Sequence, residues 1–399
     1  MPALELLRDP YYRNYWISLF ISQIGTWMQS AAQAWLVIEL TGSASKLGLV
    51  VALQFAPALL FSLPAGVLAD RVPRRTLLRL TQGTMSLLAL LMALLVATGA
   101  ITYGWVLLFA TLYGVANVFD VPTRQAFTVE LAGKERYPGA IALNSFSSNV
   151  ARLIGPAVAG LVIARLGMGW AFAVNGISFF PMIAFLLFVP KGAAAGEGKG
   201  DWRQQLRDGL AYVRQHREIM AAIVLVFWVG TFAINFQTFI PAYSKLVLGL
   251  NAEGYGGIMS AMGAGALIGA IGQALAKKFS PRRIDYGVWL LVVSYLILYL
   301  PLNPYLVALV MGFAGLGMVL VLVGTNTLIQ SAVPNKLRGR VMSIYSLALF
   351  GSGPPGSYLT GRLMDWLGGR QAAATMALLA FLGWAGVRLW FYRARVASR

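Results

Sequence analysis

One arginine lies inside an apolar stretch of this sequence, where a charged side chain is unexpected. Arg152 lies about twelve residues into the stretch 140–165, near the middle of a bilayer if that stretch spans one. An unpaired guanidinium is costly at that depth. The side chain is therefore expected to anchor an anionic substrate, to act as a switch in coupling, or to bond neighbouring carbonyls as a structural arginine.

Carboxylates are the next candidates for chemistry, because they can carry protons. All 14 Asp and Glu residues fall in loops or at the ends of apolar stretches. Glu39 and Asp120 are the best placed to titrate, since a carboxylate in a partly dry cavity has a raised pKa and exchanges protons near neutrality. For Asp120 and Arg124 the alternative is a simpler role, as surface anchors at the end of a span.

Neutral polar side chains recur at helical spacing within several apolar stretches. Such faces suit contact with a bulky, partly apolar substrate, but the same side chains can also bond one helix to the next. With Arg152 and Glu39, the candidate substrate-binding or coupling residues are Gln23, Trp27, Gln33, Tyr113, Asn117, Trp228, Asn235 and Asn326.

The composition excludes several kinds of site. The chain has no cysteine and one histidine, His216, so it cannot form disulfides, thiolate metal sites or a histidine-rich metal site. The acids are scattered, and no nucleotide-binding loop is present. The sequence therefore predicts neither an enzyme, nor a metal site, nor a cofactor.

The elements that hold these residues are predicted to be membrane-spanning helices. Of the 399 residues, 58% are hydrophobic and only 12% are charged, about half the charged share of a soluble protein. Twelve spans of about 22 residues fit this length. The predicted spans are 14–38, 46–68, 77–98, 104–121, 140–165, 169–189, 219–243, 253–276, 285–302, 304–329, 338–362 and 371–391.

The net charge of +18 is carried mainly by the loops. Lys and Arg residues gather on one predicted side of the membrane, so the positive-inside rule places both termini in the cytoplasm. Basic loops that set membrane orientation account for the charge. Nucleic acid is therefore not an expected partner.

A short charged loop joins the second and third predicted spans. Residues 66–75 read GVLADRVPRR. This segment resembles the loop between helices 2 and 3 of the major facilitator superfamily, with Pro73 where the family usually has glycine. The resemblance implies that the acid latches the two halves on the cytoplasmic side, with a simple solvated turn as the alternative. The candidate gate residues are Gly66, Asp70, Arg71, Arg74, Arg75, Asp120, Arg124 and Arg338.

Two further motifs narrow the resemblance. The run 119–126, FDVPTRQA, is similar to the exporter branch that includes the enterobactin exporter and macrolide-efflux proteins, the transmembrane secretion effectors. Gly155 and Pro156 resemble the fifth-helix motif of antiporters, with alanines replacing two of its glycines. Small residues allow close packing, and the run 351–356, GSGPPG, should bend or interrupt its helix. The predicted helix-packing residues are Gly155, Pro156, Gly160, Gly353, Pro354 and Pro355.

The two halves of the chain repeat. Residues 48–75 align with 256–283, and 139–166 align with 339–363. Parallel six-span repeats are the architecture of this superfamily. The resemblance implies an all-α membrane protein, with twelve transmembrane helices as two pseudo-symmetric six-helix bundles around a central cavity.

The bundles are predicted at residues 1–189 and 218–399. The cytoplasmic linker between them, residues 190–217, places apolar side chains at helical spacing among basic residues. That pattern predicts an amphipathic helix on the inner membrane face.

The resemblance implies a secondary active exporter of an amphipathic small molecule, a drug or a siderophore-like compound, in the cytoplasmic (inner) membrane of a bacterium. Alternating access with proton antiport is the mechanism it implies. The expected partners are the substrate, protons and membrane lipids, with the chain as a monomer. A lipid or lysolipid flippase of the same fold is one alternative, and a transport-dead membrane receptor is another.

Overall fold

A computed structural model of the chain consists of helices joined by short loops. It describes residues 5–133, 135–189, 202–276 and 280–397. The first half contains α1 Pro10–Thr41, α2 Ala44–Arg71, α3 Arg74–Ala97, α4 Tyr103–Ala132, α5 Tyr137–Leu166, α6 Met168–Ser178 and α7 Phe180–Phe188. The second half contains α8 Trp202–Gln215, α9 Arg217–Ala233, α10 Phe236–Ala242, a π-helix Tyr243–Val247, α11 Ala252–Ala274, α12 Arg282–Ile297, α13 Pro304–Ala332, α14 Asn335–Leu367 and α15 Gly369–Ala397.

Local sequence sets where helices begin and end, as α1 shows. The Asp9 carboxylate accepts the N–H of Tyr11 at 2.9 Å, and Pro10 takes the first position, where its missing N–H costs nothing. Gly42 ends the helix with a φ of 60°, a left-handed conformation that glycine adopts without strain. Its N–H donates to the Ile38 carbonyl at 2.8 Å.

Within the described part of the chain, nine helical segments are long and apolar enough to cross a membrane. Two of them, Met168–Phe188 and Arg217–Val247, contain a local break in the helix. The three other predicted spans fall on α1, α12 and α14, which are helical but do not belong to the nine. The chain is thus a multi-pass helical membrane protein, and the full twelve-span arrangement stays a prediction.

The chain divides into two compact units. Unit 1 comprises Met1–Gly42, Leu53–Gly198 and Leu250–Ser260. Unit 2 comprises Ser43–Ala52, Lys199–Gly249 and Ala261–Arg399. The first turns of α11 therefore belong to unit 1, and the first turns of α2 belong to unit 2.

In unit 1, α1 packs against α5 and α6, and α3 packs against α4 and α6. Glycine permits the closest approaches. A Cβ at Gly155 would lie 2.5 Å from the Cβ of Trp27 and 3.0 Å from the backbone N of Met28. A Cβ at Gly256 would lie 2.6 Å from the carbonyl O of Pro156. Small residues thus bring the backbones of α1, α5 and α11 together.

An aromatic cluster in unit 1 fixes the end of α4 that carries the charged residues. The ring of Tyr15 meets the edge of Phe127 at 5.7 Å between centroids, and its hydroxyl bonds the Thr128 hydroxyl at 2.7 Å. Leu78 and Leu186 are buried in the same cluster. The cluster therefore anchors α4 one turn beyond Arg124.

In unit 2, α9 packs against α14 and α15, and α12 packs against α13 and α15. The helix breaks between Ala233 and Phe236, where α9 ends and α10 begins. In contrast, α14 runs unbroken through 351–356, so the predicted interruption does not occur, and the alternative, a bend in the helix, stays a prediction. Inside a membrane bundle, neighbouring groups can satisfy the carbonyls that prolines leave unpaired, which keeps such a helix continuous.

The predicted linker contains the helix α8. Its Asp208 accepts a bond from Nη1 of Arg340 at 2.6 Å, so α8 packs on the first turns of α14. Leu210 is exposed and Val213 is buried. Residues 190–201 lie outside the described residues, and contact of α8 with a membrane surface stays a prediction.

Candidate functional site

Unit 1 contains two neighbouring polar chambers that share side chains. The Asp120 chamber has a volume of about 170 Å³, and the Arg152 chamber has a volume of about 530 Å³. Gln23, Arg124 and Ser148 line both. The Asp120 chamber is also lined by Trp27, Gln82, Met85, Tyr113, Asn117 and Asp120. The Arg152 chamber is also lined by Thr128, Tyr137, Asn144, Ser145, Asn149 and Arg152.

Asp120 is a buried carboxylate, with only 2% of its surface exposed. Its Oδ2 accepts Nε of Arg124 at 3.0 Å, one turn along α4. Its Oδ1 accepts Nε2 of Gln82 at 2.7 Å and the hydroxyl of Thr81 at 3.0 Å, both from α3. Three donors suit an ionised carboxylate, which can only accept hydrogen bonds.

Arg124 connects the two chambers. It pairs with Asp120, and it also lines the Arg152 chamber. Its backbone carbonyl accepts the hydroxyl of Thr128 at 2.8 Å, one turn further along α4. A change in the charge of Asp120 would therefore alter the electric field in both chambers.

Arg152 faces the larger chamber without a carboxylate partner. Its Cζ lies 5.1 Å from the centroid of the Trp27 ring, a cation–π distance. Its Nε is buried and has no hydrogen-bond partner. Within the described residues, Arg152 makes neither an ion pair nor a hydrogen bond to a carbonyl. The geometry thus does not match a structural arginine held by neighbouring carbonyls.

Polar side chains of α1 and α5 surround this guanidinium. The hydroxyl of Ser148, one turn before Arg152, donates to Oε1 of Gln23 at 2.9 Å. Nδ2 of Asn149 donates to the Ser145 carbonyl at 2.8 Å. Oδ1 of Asn144 is buried without a partner. The chamber therefore offers hydroxyl and amide groups beside the arginine.

Two other candidates on α1 lie outside these chambers. Nε2 of Gln33 donates to Oε1 of Gln54 at 3.0 Å, and Oε1 of Glu39 accepts Nε1 of Trp35 at 2.8 Å. Neither Gln33 nor Glu39 lines either chamber. Of the two predicted titratable residues, only Asp120 lies in a chamber of unit 1.

Two of the unit 2 candidates bond within their own bundle. Nε1 of Trp228 donates to the Leu379 carbonyl at 2.7 Å, which places the indole between α9 and α15. Oδ1 of Asn326 accepts Nε2 of Gln330 at 2.6 Å, one turn along α13. The structure does not bring these side chains together.

Asn235 lies at the break between α9 and α10 and is 6% exposed. Its Nδ2 donates to the carbonyls of Gly230 and Thr231 at 3.1 and 2.7 Å, and its Oδ1 accepts the hydroxyl of Ser357 at 3.3 Å. These carbonyls belong to the last turn of α9, which the break leaves without helical partners. Asn235 therefore caps the C-terminal end of α9.

The first basic residues of α3 tie it to other helices of unit 1. Nη1 of Arg74 pairs with Glu130 of α4 at 3.0 Å. The guanidinium of Arg75 donates to the carbonyls of Leu186 and Leu187 at the end of α7. Both contacts help to position the end of α4 that carries the chambers.

The remaining gate candidates stay a prediction. Arg71 is exposed at the end of α2, and a Cβ at Gly66 would meet open space. The side chain of Asp70 lies outside what the structure describes. Arg338 is half-buried in the first turn of α14, and its Nε has no hydrogen-bond partner.

The predicted packing residues fall into two groups. A Cβ at Gly160 would lie 2.7 Å from the Ala252 carbonyl O, so Gly160 joins Gly155 and Pro156 at close contacts of α5. In α14, a Cβ at Gly353 would meet nothing within 4 Å. Close contact occurs instead at Gly356, beside Asn235. Pro354 and Pro355 lie inside the continuous helix.

Sequence reasoning missed several residues that build the chambers. Thr81 and Gln82 bond Asp120, and Ser148 bonds Gln23. The available signal was a pair of adjacent polar residues in the predicted span 77–98. Ser148, one helical turn before Arg152, was a weaker signal of the same kind.

Comparisons with known proteins cover nearly the whole chain. The family model for transmembrane secretion effectors matches residues 2–395. The staphyloferrin A transporter of Staphylococcus aureus is 27% identical over 277 residues, covering 69% of this chain and 68% of that protein. The multidrug efflux pump Tap of Mycolicibacterium fortuitum is 26% identical over 364 residues, covering 86% and 87%.

A solved structure shows the same fold. It is the inward-facing, unoccupied form of a bacterial homologue of the human lysosomal transporter Spinster, with a TM-score of 0.75 and 16% identity, covering 96% of this chain and 97% of that one. The apolar helices and the bacterial relatives make this chain a multi-pass protein of the bacterial inner membrane. It belongs to the transmembrane secretion effector family of major facilitator superfamily transporters.

Proposed function

We propose that this chain is a secondary active exporter of an amphipathic small molecule, a drug or a siderophore-like compound, that works by alternating access with proton antiport. The observation that carries the proposal is the pair of linked chambers in unit 1. One holds a buried carboxylate, and the other has a volume of about 530 Å³. Ligand pockets of about 300–1,000 Å³ hold small molecules.

The relatives support export of small molecules. One is a transporter of the siderophore staphyloferrin A, and another is a multidrug efflux pump. Together the two chambers combine amide, hydroxyl and guanidinium groups with the Trp27 ring, a mixture that suits an amphipathic small molecule.

In this proposal Asp120 carries the coupled proton. While ionised, it accepts bonds from Arg124, Gln82 and Thr81. Protonation removes its negative charge and gives one oxygen a hydrogen, so Arg124 loses its ion pair. Arg124 also lines the Arg152 chamber. Proton and substrate therefore act on the same side chains, which is the condition for coupling between them.

The proposal includes the orientation and the gate. Both termini lie in the cytoplasm, the bundles 1–189 and 218–399 alternate access to the substrate, and the acid of the loop 66–75 latches the cytoplasmic side. Lipids surround the chain, which acts as a monomer. Basic loops support this orientation under the positive-inside rule.

The test is transport in proteoliposomes with an imposed pH gradient. We expect gradient-driven flux of a fluorescent drug or of a fluorescent siderophore analogue. Asp120→Asn should lower that flux about 100-fold, because the amide cannot exchange a proton. Glu39→Gln removes the other titratable candidate and should change the flux less than about threefold, since Glu39 lines neither chamber.

Two outcomes would count against the proposal. Wild-type flux that ignores the pH gradient excludes proton antiport. A full loss of coupling in Glu39→Gln, with Asp120→Asn unchanged, moves the proton site from α4 to α1.

A further inference from the structure

The Arg152 chamber contains more positive than negative charge. Arg124 and Arg152 line it, and no acidic side chain is among its lining residues in the described part of the chain. The charge of Arg124 is balanced by Asp120, at 3.0 Å in the neighbouring chamber. Arg152 has no such neighbour, so one positive charge in this chamber is left without a counter-charge.

The guanidinium of Arg152 also has unused hydrogen-bonding capacity. Its Nε is buried without an acceptor, and its Cζ lies over the Trp27 ring, 5.1 Å from the ring centroid. A buried donor without an acceptor costs free energy, and a buried charge costs more. A fold that only needed a long apolar side chain here would be more stable with leucine or methionine.

The surroundings of Arg152 suit an oxyanion better than a cation or a neutral group. Hydroxyl and amide side chains of Tyr137, Ser145 and Asn149 line the same chamber and can donate to an oxygen. A planar guanidinium binds a carboxylate through two parallel N–H···O bonds. The cation–π contact with Trp27 limits the positions that the guanidinium can take.

We propose that the exported molecule carries a carboxylate or a similar oxyanion, and that Arg152 binds this group in the Arg152 chamber. The inference rests on the proposed function, because it names the class of molecule that is exported. Ile141 and the Trp27 ring supply apolar contacts near the arginine for the rest of an amphipathic molecule. A lipophilic cation would face the charge of Arg152 without compensation and would bind less tightly.

Equilibrium binding to purified protein in lipid nanodiscs tests this inference without a gradient. Three fluorescent probes share one dansyl group: dansylglycine carries a carboxylate, dansylglycinamide is its neutral counterpart, and dansylcadaverine is a cation. We expect wild-type protein to bind dansylglycine about tenfold more tightly than the amide, the effect of one charge-assisted bidentate contact. Arg152→Gln should bind both probes with equal affinity.

Arg165→Gln is the matched control. It removes the same charge from the same helix, but Arg165 is exposed at the end of α5 and lines neither chamber. It should keep the full preference for the carboxylate. The proposal is overturned if wild type binds the three probes equally or binds none of them up to millimolar concentration, or if Arg152→Gln keeps the preference.

Thermal unfolding without a probe separates binding from a structural role. Removing an unpaired buried charge should leave the melting temperature of Arg152→Gln equal to wild type or higher. A structural arginine predicts the opposite, and a drop of more than about 5 °C relative to Arg165→Gln overturns the proposal.

Flux measurements keep this inference distinct from the proposed function. If the carboxylate preference is present and depends on Arg152, but no probe crosses proteoliposomes under a pH gradient, the exporter proposal fails and the binding site stands. If the amide or the cation is exported and wild type shows no carboxylate preference, the exporter proposal stands and the substrate class is wrong.

Discussion

The candidate polar residues of the two units lie in different surroundings. In unit 1, Asp120, Arg124 and Arg152 line chambers, and Arg152 keeps unused hydrogen-bonding capacity. In unit 2, Asn235 bonds the open end of α9, and Trp228 bonds a carbonyl of α15. The candidate binding residues of the two units therefore lie in different surroundings.

The difference follows from the helix break in unit 2, which leaves backbone carbonyls that need hydrogen-bond partners. A helix break in unit 2 frees the carbonyls of Gly230 and Thr231, and in a membrane an unpaired carbonyl costs several kcal/mol. Asn235 donates hydrogen bonds to both carbonyls, so its amide nitrogen is no longer available to a ligand. Glycine provides close helix contacts in both units, since a Cβ at Gly315 of unit 2 would lie 2.1 Å from the Met262 carbonyl O. The use of Asn235 at the helix break is therefore what distinguishes unit 2.

The largest effect is expected from comparing the glycines of the two Gly-Pro pairs, Gly155-Pro156 and Gly353-Pro354. A Cβ at Gly155 would lie 2.5 Å from the Cβ of Trp27, so Gly155→Ala must push α5 away from α1 and should cost about 3 kcal/mol. Gly353→Ala meets open space and should be neutral or stabilising by up to about 1 kcal/mol, because alanine favours the helix. Thermal unfolding followed by tryptophan fluorescence measures both. Equal effects would show that the packing of α5 and α14 is alike.

A second pair compares the asparagines. Asn235→Ala leaves two carbonyls of α9 unpaired and should cost about 2 kcal/mol of stability. Asn144→Ala removes a buried Oδ1 that has no partner and should leave stability within about 0.5 kcal/mol of wild type. Melting curves test stability, and dansylglycine titrations test binding.

In the dansylglycine titrations, the effects of the two asparagine variants on affinity should follow the reverse order. Asn144→Ala should weaken the carboxylate probe a few-fold, because Asn144 lines the Arg152 chamber. Asn235→Ala should leave the affinity of its folded fraction unchanged. If Asn144→Ala is the more destabilising variant, the contrast between the units is wrong.

The sequence predicted the helices well and the chamber only in part. Apolar stretches of sufficient length identify spans locally, and a charge inside one, such as Arg152, is visible without a structure. The bond between Asp120 and Gln82 joins residues 38 positions apart, so no local pattern contains it. Spacing also predicted that Trp228 and Asn235 share one helical face. The helix break at Asn235 and the Leu379 carbonyl that Trp228 bonds are tertiary features, which local spacing does not contain.

The smallest expected effect compares how two helices begin. In unit 2, Asp365 at the far end of α14 caps α2: Oδ1 accepts the N–H of Ala44 at 2.8 Å, and Oδ2 accepts the Ser43 hydroxyl at 2.6 Å and the N–H of Ser45 at 2.9 Å. In unit 1, α11 is capped by the neutral Asn251, whose Oδ1 accepts the N–H of Gly254 at 3.0 Å. One cap is therefore charged and comes from another helix, and the other is neutral and local.

Only the charged cap should respond to pH. Partial burial raises the pKa of the Asp365 carboxyl, but the bonds from Ser43, Ser45 and the Ala44 N–H outweigh it and hold that pKa below its ordinary value of 3.8. A lowered pKa adds stability above the unfolded pKa, and this stability is lost as the pH falls through the folded pKa. Asp365→Asn should thus cost about 0.5 kcal/mol at pH 6, after allowance for solvent screening, and nothing below the folded pKa. Asn251→Ala should cost the same at every pH. Melting curves of both variants at pH 6 and at successively lower pH test whether only the Asp365 cap depends on pH.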